Sequence, residues 1–278
     1  MLFLMACLNF DPRSYVDKIR VMAIQSSPAE ITPSDGEANL NILIADPQKE
    51  GVELLLWTCT DLGSGCIEAD FYEDTQTWGQ YIMMEGPATS ATVSIPPELA
   101  FVLPELPEEL IPFRNTAVWV LACHLGTCPG IAAFQEGSLE KSYFKKPAKL
   151  IEELGFGSAS LANRSLLISQ REESQRVQNP ILEREGEDIL QVAANETLDI
   201  SFSYTRNNPE EETAFLYGYT TSGSIVEGQE TFSEVFDVQG ETLRTWQAGE
   251  EPQDAQLFFV FDNGAGGLDF WYSEAQVQ

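Results

Sequence analysis

A strict two-residue alternation constrains this chain more than any other feature. Leu198, Ile200, Phe202 and Tyr204 alternate with Asp199, Ser201, Ser203 and Thr205. Only an extended strand sends alternate side chains to opposite faces, so this stretch reads as a half-buried β-strand. The pattern returns in Leu40, Ile42 and Ile44 with Asn39 and Asn41 between them, ended by Asp46-Pro47. It returns again in Ala117, Trp119 and Leu121 against Val118 and Val120, and in Phe215, Tyr217 and Tyr219. In Val52–Cys59, Leu54 and Leu56 oppose Leu55 and Trp57, as in a strand covered on both sides, with Trp57 as a core anchor. Further strands are expected at Ile19–Ile24, Thr89–Ile95, Arg164–Gln170, Leu257–Phe261 and Leu268–Tyr272, the last two closed into a hairpin by the turn residues Asp262–Gly267.

Helix signals are scarce. Leu150, Ile151 and Leu154 follow Pro147 at helical spacing, which predicts a short helical insertion near 147–154. A chain of 278 residues has room for two domains. We expect an all-β protein of two antiparallel β-sandwiches in tandem, over 16–172 and 185–278, joined by a charged, Pro-containing linker over 173–184. The two halves share an approximate order, with Glu37 before Leu40 and Glu196 before Leu198, as related modules rather than a tight repeat.

Asp and Glu number 44 against 15 Lys and Arg, a formal charge of -29. Such a surface repels a phosphate backbone, which excludes nucleic acid as a partner. The acids are spread along the chain, so their first reading is a solvated surface and their second a divalent cation. No apolar run approaches the roughly 20 residues of a spanning helix.

The N-terminus is the membrane-directed feature. Met1–Ala6 lead directly into Cys7, and Leu4, Met5, Ala6 and Cys7 resemble the end of a lipobox, the apolar-apolar-small-Cys pattern of bacterial lipoprotein signals. The resemblance implies a diacylglycerol on Cys7, cleavage just before it, a tether to about residue 15 and, because Leu8 rather than Asp follows, sorting to the outer membrane or cell surface. Six residues precede Cys7 where a full signal carries a charged region and an apolar stretch of about 7 to 15, so we expect the true start to lie upstream. The alternative is an apolar segment packed on the core with Cys7 as a buried thiol.

Without Cys7 an even set remains, Cys59, Cys66, Cys123 and Cys128, in two close pairs. That suits local disulfides Cys59–Cys66 and Cys123–Cys128 in an oxidising compartment, with a crossed pairing of Cys59 and Cys123 still open. The rival is a zinc site joining these cysteines to His124, although their spacings fit zinc ribbons poorly.

Val21–Ile24, Pro28-Ala29-Glu30-Ile31, Pro33, Ala45-Asp46-Pro47, Trp57 and Cys59 resemble a family of uncharacterised bacterial surface lipoproteins. The closing Phe259–Gly267 is similar to the final hairpin of many modules in that family, with Trp271 as the aromatic that follows. The resemblance implies immunoglobulin-like, fibronectin-type or cadherin-like sandwiches on a lipid anchor and leaves activity open.

His124 is the single histidine, so a Ser-His-Asp triad would have to use it, and no Gly-x-Ser-x-Gly elbow surrounds any serine. Gly155–Ser158 lacks the lysine and spacing of a phosphate loop. Of the ligands weighed, calcium suits the acids best, at Asp61, Glu68, Asp70, Glu73 and Asp74 and more weakly at Asp262 and Asn263, though neither group has EF-hand spacing and the acids read first as a solvated loop. Among the aromatics Trp78, Tyr81, Phe101, Phe113, Trp246, Trp271 and Tyr272, we expect Trp246 and Trp271 on an outer face as contact residues, and Pro96–Pro112 as a partner-binding loop. The leading reading is a non-catalytic envelope module that binds a protein or glycan or builds the envelope. A hydrolase with paired carboxylates and a calcium-stiffened adhesin are the others.

Overall fold

The computed structural model describes residues 15–32, 36–59, 79–94, 114–128, 158–169, 171–184, 190–207, 213–226, 231–234 and 237–278. Seventeen strands run through them: β1 Arg20–Ser27, β2 Glu30–Ile31, β3 Glu37–Ala45, β4 Val52–Cys59, β5 Gly79–Met83, β6 Ala88–Ser94, β7 Arg114–His124 and β8 Ala159–Ile168 in the first half. In the second half come β9 Ile181–Arg184, β10 Leu190–Val192, β11 Thr197–Thr205, β12 Ala214–Thr220, β13 Ser224–Ile225, β14 Thr231–Glu234, β15 Gln239–Gln247, β16 Asp254–Asp262 and β17 Leu268–Val277. The expected helix near 147–154 lies outside the described residues.

Four sheets form, ordered β2-β8-β7-β4-β5, β1-β3-β6, β10-β17-β16-β12-β14 and β13-β15-β11-β9. In the first half β4, β7 and β8 build one sheet and β1, β3 and β6 the other; in the second half β12, β16 and β17 build one and β11 and β15 the other. In each, a short strand joins the last long strand in parallel: β2 to β8 and β10 to β17. This is the strand distribution of an immunoglobulin-type sandwich, repeated twice. The alternation predicted for β3 and β11 sets their inward faces. Leu40, Ile42 and Ile44 enter the first core beside Leu54, Leu56, Val118, Val120 and Leu166. Ile200, Phe202 and Tyr204 enter the second beside Leu216, Leu257, Phe259 and Phe261.

A third apolar layer lies between the two sandwiches. It takes Met22 and Ala23 of β1, Leu43 and Ala45 of β3, Tyr219 of β12, Phe258 and Val260 of β16 and Leu268 of β17. These side chains leave the faces of their sheets opposite to those that fill the two sandwich cores. Met22 and Ala23, neighbours in sequence, share that face because the β1–β3 register shifts between Val21 and Ala23. The outer face of β1-β3-β6 therefore packs on the outer face of β12-β16-β17, and the molecule is a stack of four β-layers around three apolar interiors. Tandem sequence has given side-by-side sandwiches.

Contrary to what its charge and proline suggest, the stretch 173–184 is not all connection: Ile181–Arg184 pairs with Thr205–Phe202 and adds strand β9 to the second sandwich. The connection ends at the buried Pro180 and contains one short 3₁₀ turn over Glu173–Gln175. Strand directions place this connection, with the turns at 206–207 and 263–267, at one end of the stack, here the far end. At the opposite, near end lie the turns 46–51, 84–87, 124–128, 221–223 and 248–253, together with Tyr15 and Gln278.

Candidate functional site

Two polar constellations stand out, one at each end. At the far end the connection is fastened to both sandwiches. Glu30, fully buried, accepts hydrogen bonds from the Val177 amide at 2.8 Å and from the Ser169 hydroxyl, with Arg171 Nη1 at 3.7 Å. Asn179 donates to Ser26 O at 2.7 Å and accepts from the Leu268 amide at 3.2 Å, so one side chain bridges the halves. Gln25 of β1 donates to Leu268 O at 2.9 Å and to Asp269 Oδ1 at 3.0 Å, while Asp269 Oδ2 accepts from the Leu182 amide at 2.9 Å. Burial holds the Asp269 carboxyl above its ordinary range, against the opposing pull of the Leu182 and Phe270 amides and Gln25. Arg164 of β8 reaches across to donate to Gly266 O, its guanidinium lowered by burial and partly restored by Asp262.

The turn that Arg164 meets contains the weaker calcium candidates. Asn263 is fully buried and spends its amide on structure: Nδ2 donates to Gln178 O at 2.9 Å, and Oδ1 accepts from the Ala265 and Gly267 amides at 3.0 Å each. Asp262 Oδ1 accepts from the Gly264 amide at 2.8 Å. The positive φ of Gly264 belongs to the same turn, where a Cβ would strike the Thr213 carbonyl. The side-chain oxygen of Asn263 is thus occupied by two backbone donors. Asp61, Glu68, Asp70, Glu73 and Asp74 lie outside the described residues, as does Pro96–Pro112. Among the described residues no group of three potential ligands is arranged to hold a metal.

At the near end the Cys123–Cys128 disulfide is formed, with Cα atoms 5.4 Å apart. Both sulfurs are therefore unavailable to zinc. The Cys128 amide donates to the buried Glu53 at 2.9 Å, and the Tyr81 hydroxyl donates to its other oxygen at 3.3 Å. Beside this bridge the His124 ring is nearly covered, with Nδ1 3.9 Å from Asp46 Oδ1 and 3.7 Å from Glu50 Oε2. Asp46 also caps the β3–β4 turn by accepting from the Gly51 amide at 3.0 Å. His124 thus faces two carboxylates where the β3–β4 turn meets the turn that follows β7. Cys7 and Cys66 lie outside the described residues; Cys59 closes β4, opposite Ala117.

The aromatic contact residues come out differently from the sequence expectation. Trp246 is completely buried, and its indole N–H donates to Ser222 O at 3.0 Å. It fills the second core because β15 turns Gly240, Thr242, Arg244 and Trp246 inward and leaves Leu243 47% exposed, inverting the usual polarity. Trp271 is half-buried against Phe202 at 5.4 Å and Phe259 at 5.9 Å, with Arg184 5.4 Å above its ring. Neither is an outer-face anchor. Tyr272 is exposed; Trp78, Phe101 and Phe113 lie outside the described residues. The joint residues Gln25, Glu30, Asn179 and Asp269 carried no signal of their own in the sequence, because their partners lie from 87 to 244 residues away.

No protein-family model matches the chain, and no curated protein matches it. Solved structures to which it is similar include native alpha-2-macroglobulin of Escherichia coli, at 9% identity and a TM-score of 0.27, over 93% of this chain and 17% of that one. The chain therefore spans about a sixth of that protein's length. The D00-D0 domain of intimin is similar at 11% identity and a TM-score of 0.25, over 94% of this chain and 98% of that one. Dpr2 Ig1-Ig2, solved with DIP-Theta Ig1-Ig3, gives 5% identity and a TM-score of 0.26, over 94% and 100%. Scores this low carry no argument about function.

Proposed function

We propose that this chain is an exported module of a bacterial envelope, anchored through a lipid on Cys7, that works without catalysis by presenting a stiff β-stack to a protein or glycan or by bracing the envelope itself. The observation that carries the reading is the apolar layer between the sandwiches. Met22, Leu43, Tyr219, Phe258 and Val260 commit the two halves to one geometry, a pre-organised form that suits display or bracing. The Cys123–Cys128 bridge supports an oxidising compartment, and the acidic surface suits a solvated exterior. Stiffening by calcium at Asp61, Glu68, Asp70 and Asp74 belongs to the same reading as an optional addition.

The test is expression of the protein from its native gene in a Gram-negative host, followed by intact mass and fractionation. The expected mature protein begins at Cys7 with the mass of its acyl chains and is released from membranes by Cys7→Ser. Wild-type protein lacking lipid mass sinks the anchor. Turnover on a glycan panel that is abolished by replacing one carboxylate sinks the non-catalytic reading.

A further inference from the structure

We infer that the stack stands with its near end toward the bilayer and its far end outward; the inference rests on the lipid anchor proposed for Cys7. Tyr15 pairs with Thr220 in a parallel bridge, the Val16 amide donates to Thr220 O at 2.8 Å, and Val16 is buried in the layer between the sandwiches. Arg20 then lies over the ring of Tyr219 at 5.5 Å. These contacts pin the incoming chain to the near end of the second sandwich, at the last residues of β12. Cys7 precedes Tyr15 by eight residues, so at about 3.5 Å per residue its attachment point stays within about 28 Å of that pin. Strands of the length of β17 rise about 3.3 Å per residue, which puts the far end roughly 30 Å beyond the pin. A lipid on Cys7 can therefore reach a bilayer beneath the near end directly, but beneath the far end only by running fully extended along the whole stack.

Charge draws neither the near end nor a flank to an anionic leaflet: Glu50, Glu85, Glu196, Glu250, Glu251 and Asp254 are exposed at the near end beside Lys18 and Lys49, the latter 3.7 Å from Asp254. The body carries its share of the -29 formal charge, so an anionic leaflet gives it no electrostatic hold. The anchor alone keeps it at the surface, and the far-end connection and turns face away from the membrane.

The experiment uses the lipidated full chain in vesicles carrying a headgroup-attached quencher, with a genetically encoded fluorescent side chain at Glu85 or Glu250 of the near end, or at Glu173 or Asp237 of the far end. The expected result is several-fold stronger quenching at the near-end positions, unchanged when anionic lipid replaces part of a zwitterionic bilayer. Equal quenching at both ends, or the reverse order, on protein whose lipid mass is verified overturns the orientation alone. Absence of lipid mass and of vesicle binding overturns the anchor instead.

Discussion

Asp269 shows how one side chain can tie the joint to pH. Its carboxyl accepts from Leu182 and Gln25 on two different elements, yet burial outweighs those bonds and raises its folded pKa above the ordinary 3.8. A carboxyl raised on folding binds its proton more tightly in the folded state. Its contribution is therefore full at low pH and is lost as pH climbs from 3.8 through the raised value, where ionisation costs the folded state more than the unfolded one. Urea unfolding of wild type and Asp269→Asn, in half-unit steps upward from the ordinary value, is expected to show the wild type losing ground to the variant across that window. A difference that stays flat or moves the other way removes Asp269 as the source. At this scale little was legible beforehand. Gln25, Glu30, Asn179 and Asp269 look in sequence like any polar residue of an acidic surface, and only long-range pairing gives them a role. Cys123 and Cys128 were legible because their partnership is local.

Elements were legible wherever a strand has one buried face. In β11 the inward residues Ile200, Phe202 and Tyr204 are the apolar ones, so period and burial coincide. β15 is not legible because Thr242 and Arg244 point inward and Leu243 outward, while β2, β10 and β13 are too short to show any period. Two-sided burial is legible in Val52–Cys59, where Leu54 and Leu55 are both covered, and Ile42–Ala45 and Leu257–Phe261 carry the same sign. A continuous apolar run in an antiparallel strand marks a second interface. Leu43 tests this directly, since its strand neighbours Asn39 and Asn41 on the same face are polar. Leu43→Ala is expected to cost about 2–5 kcal/mol, as Ile42→Ala does, because each empties a different closed apolar layer. Exposed Glu37→Ala on the same strand is expected within about 0.5 kcal/mol of wild type. Denaturant midpoints at constant slope give these values, and a Leu43→Ala cost below about 1 kcal/mol would mean the layer between the sandwiches is not closed in solution.

At the scale of the whole molecule, the three apolar layers decide whether one protein or two unfold. Joined only by a linker, the sandwiches would melt independently, each with its own midpoint. Here β3 and β16 each line a sandwich core with one face and the shared layer with the other, so loosening either sandwich exposes Leu43 or Phe258 and weakens the second. The fastening by Glu30 and Asn179 adds directional bonds at the far end, and Val16 with Arg20 closes the near end. The expected outcome is a single transition, with amide exchange in β7 and in β11 converging on one global free energy as denaturant rises. Leu43→Asp buries a charge in the shared layer without entering either sandwich core, so it is expected to separate the exchange free energies of β7 and β11 and to broaden the transition. Two resolved transitions already in the wild type would mean that the shared layer binds too weakly to couple the halves. The orientation inferred at a membrane would then describe the second sandwich, where Tyr15 is pinned, but not the first.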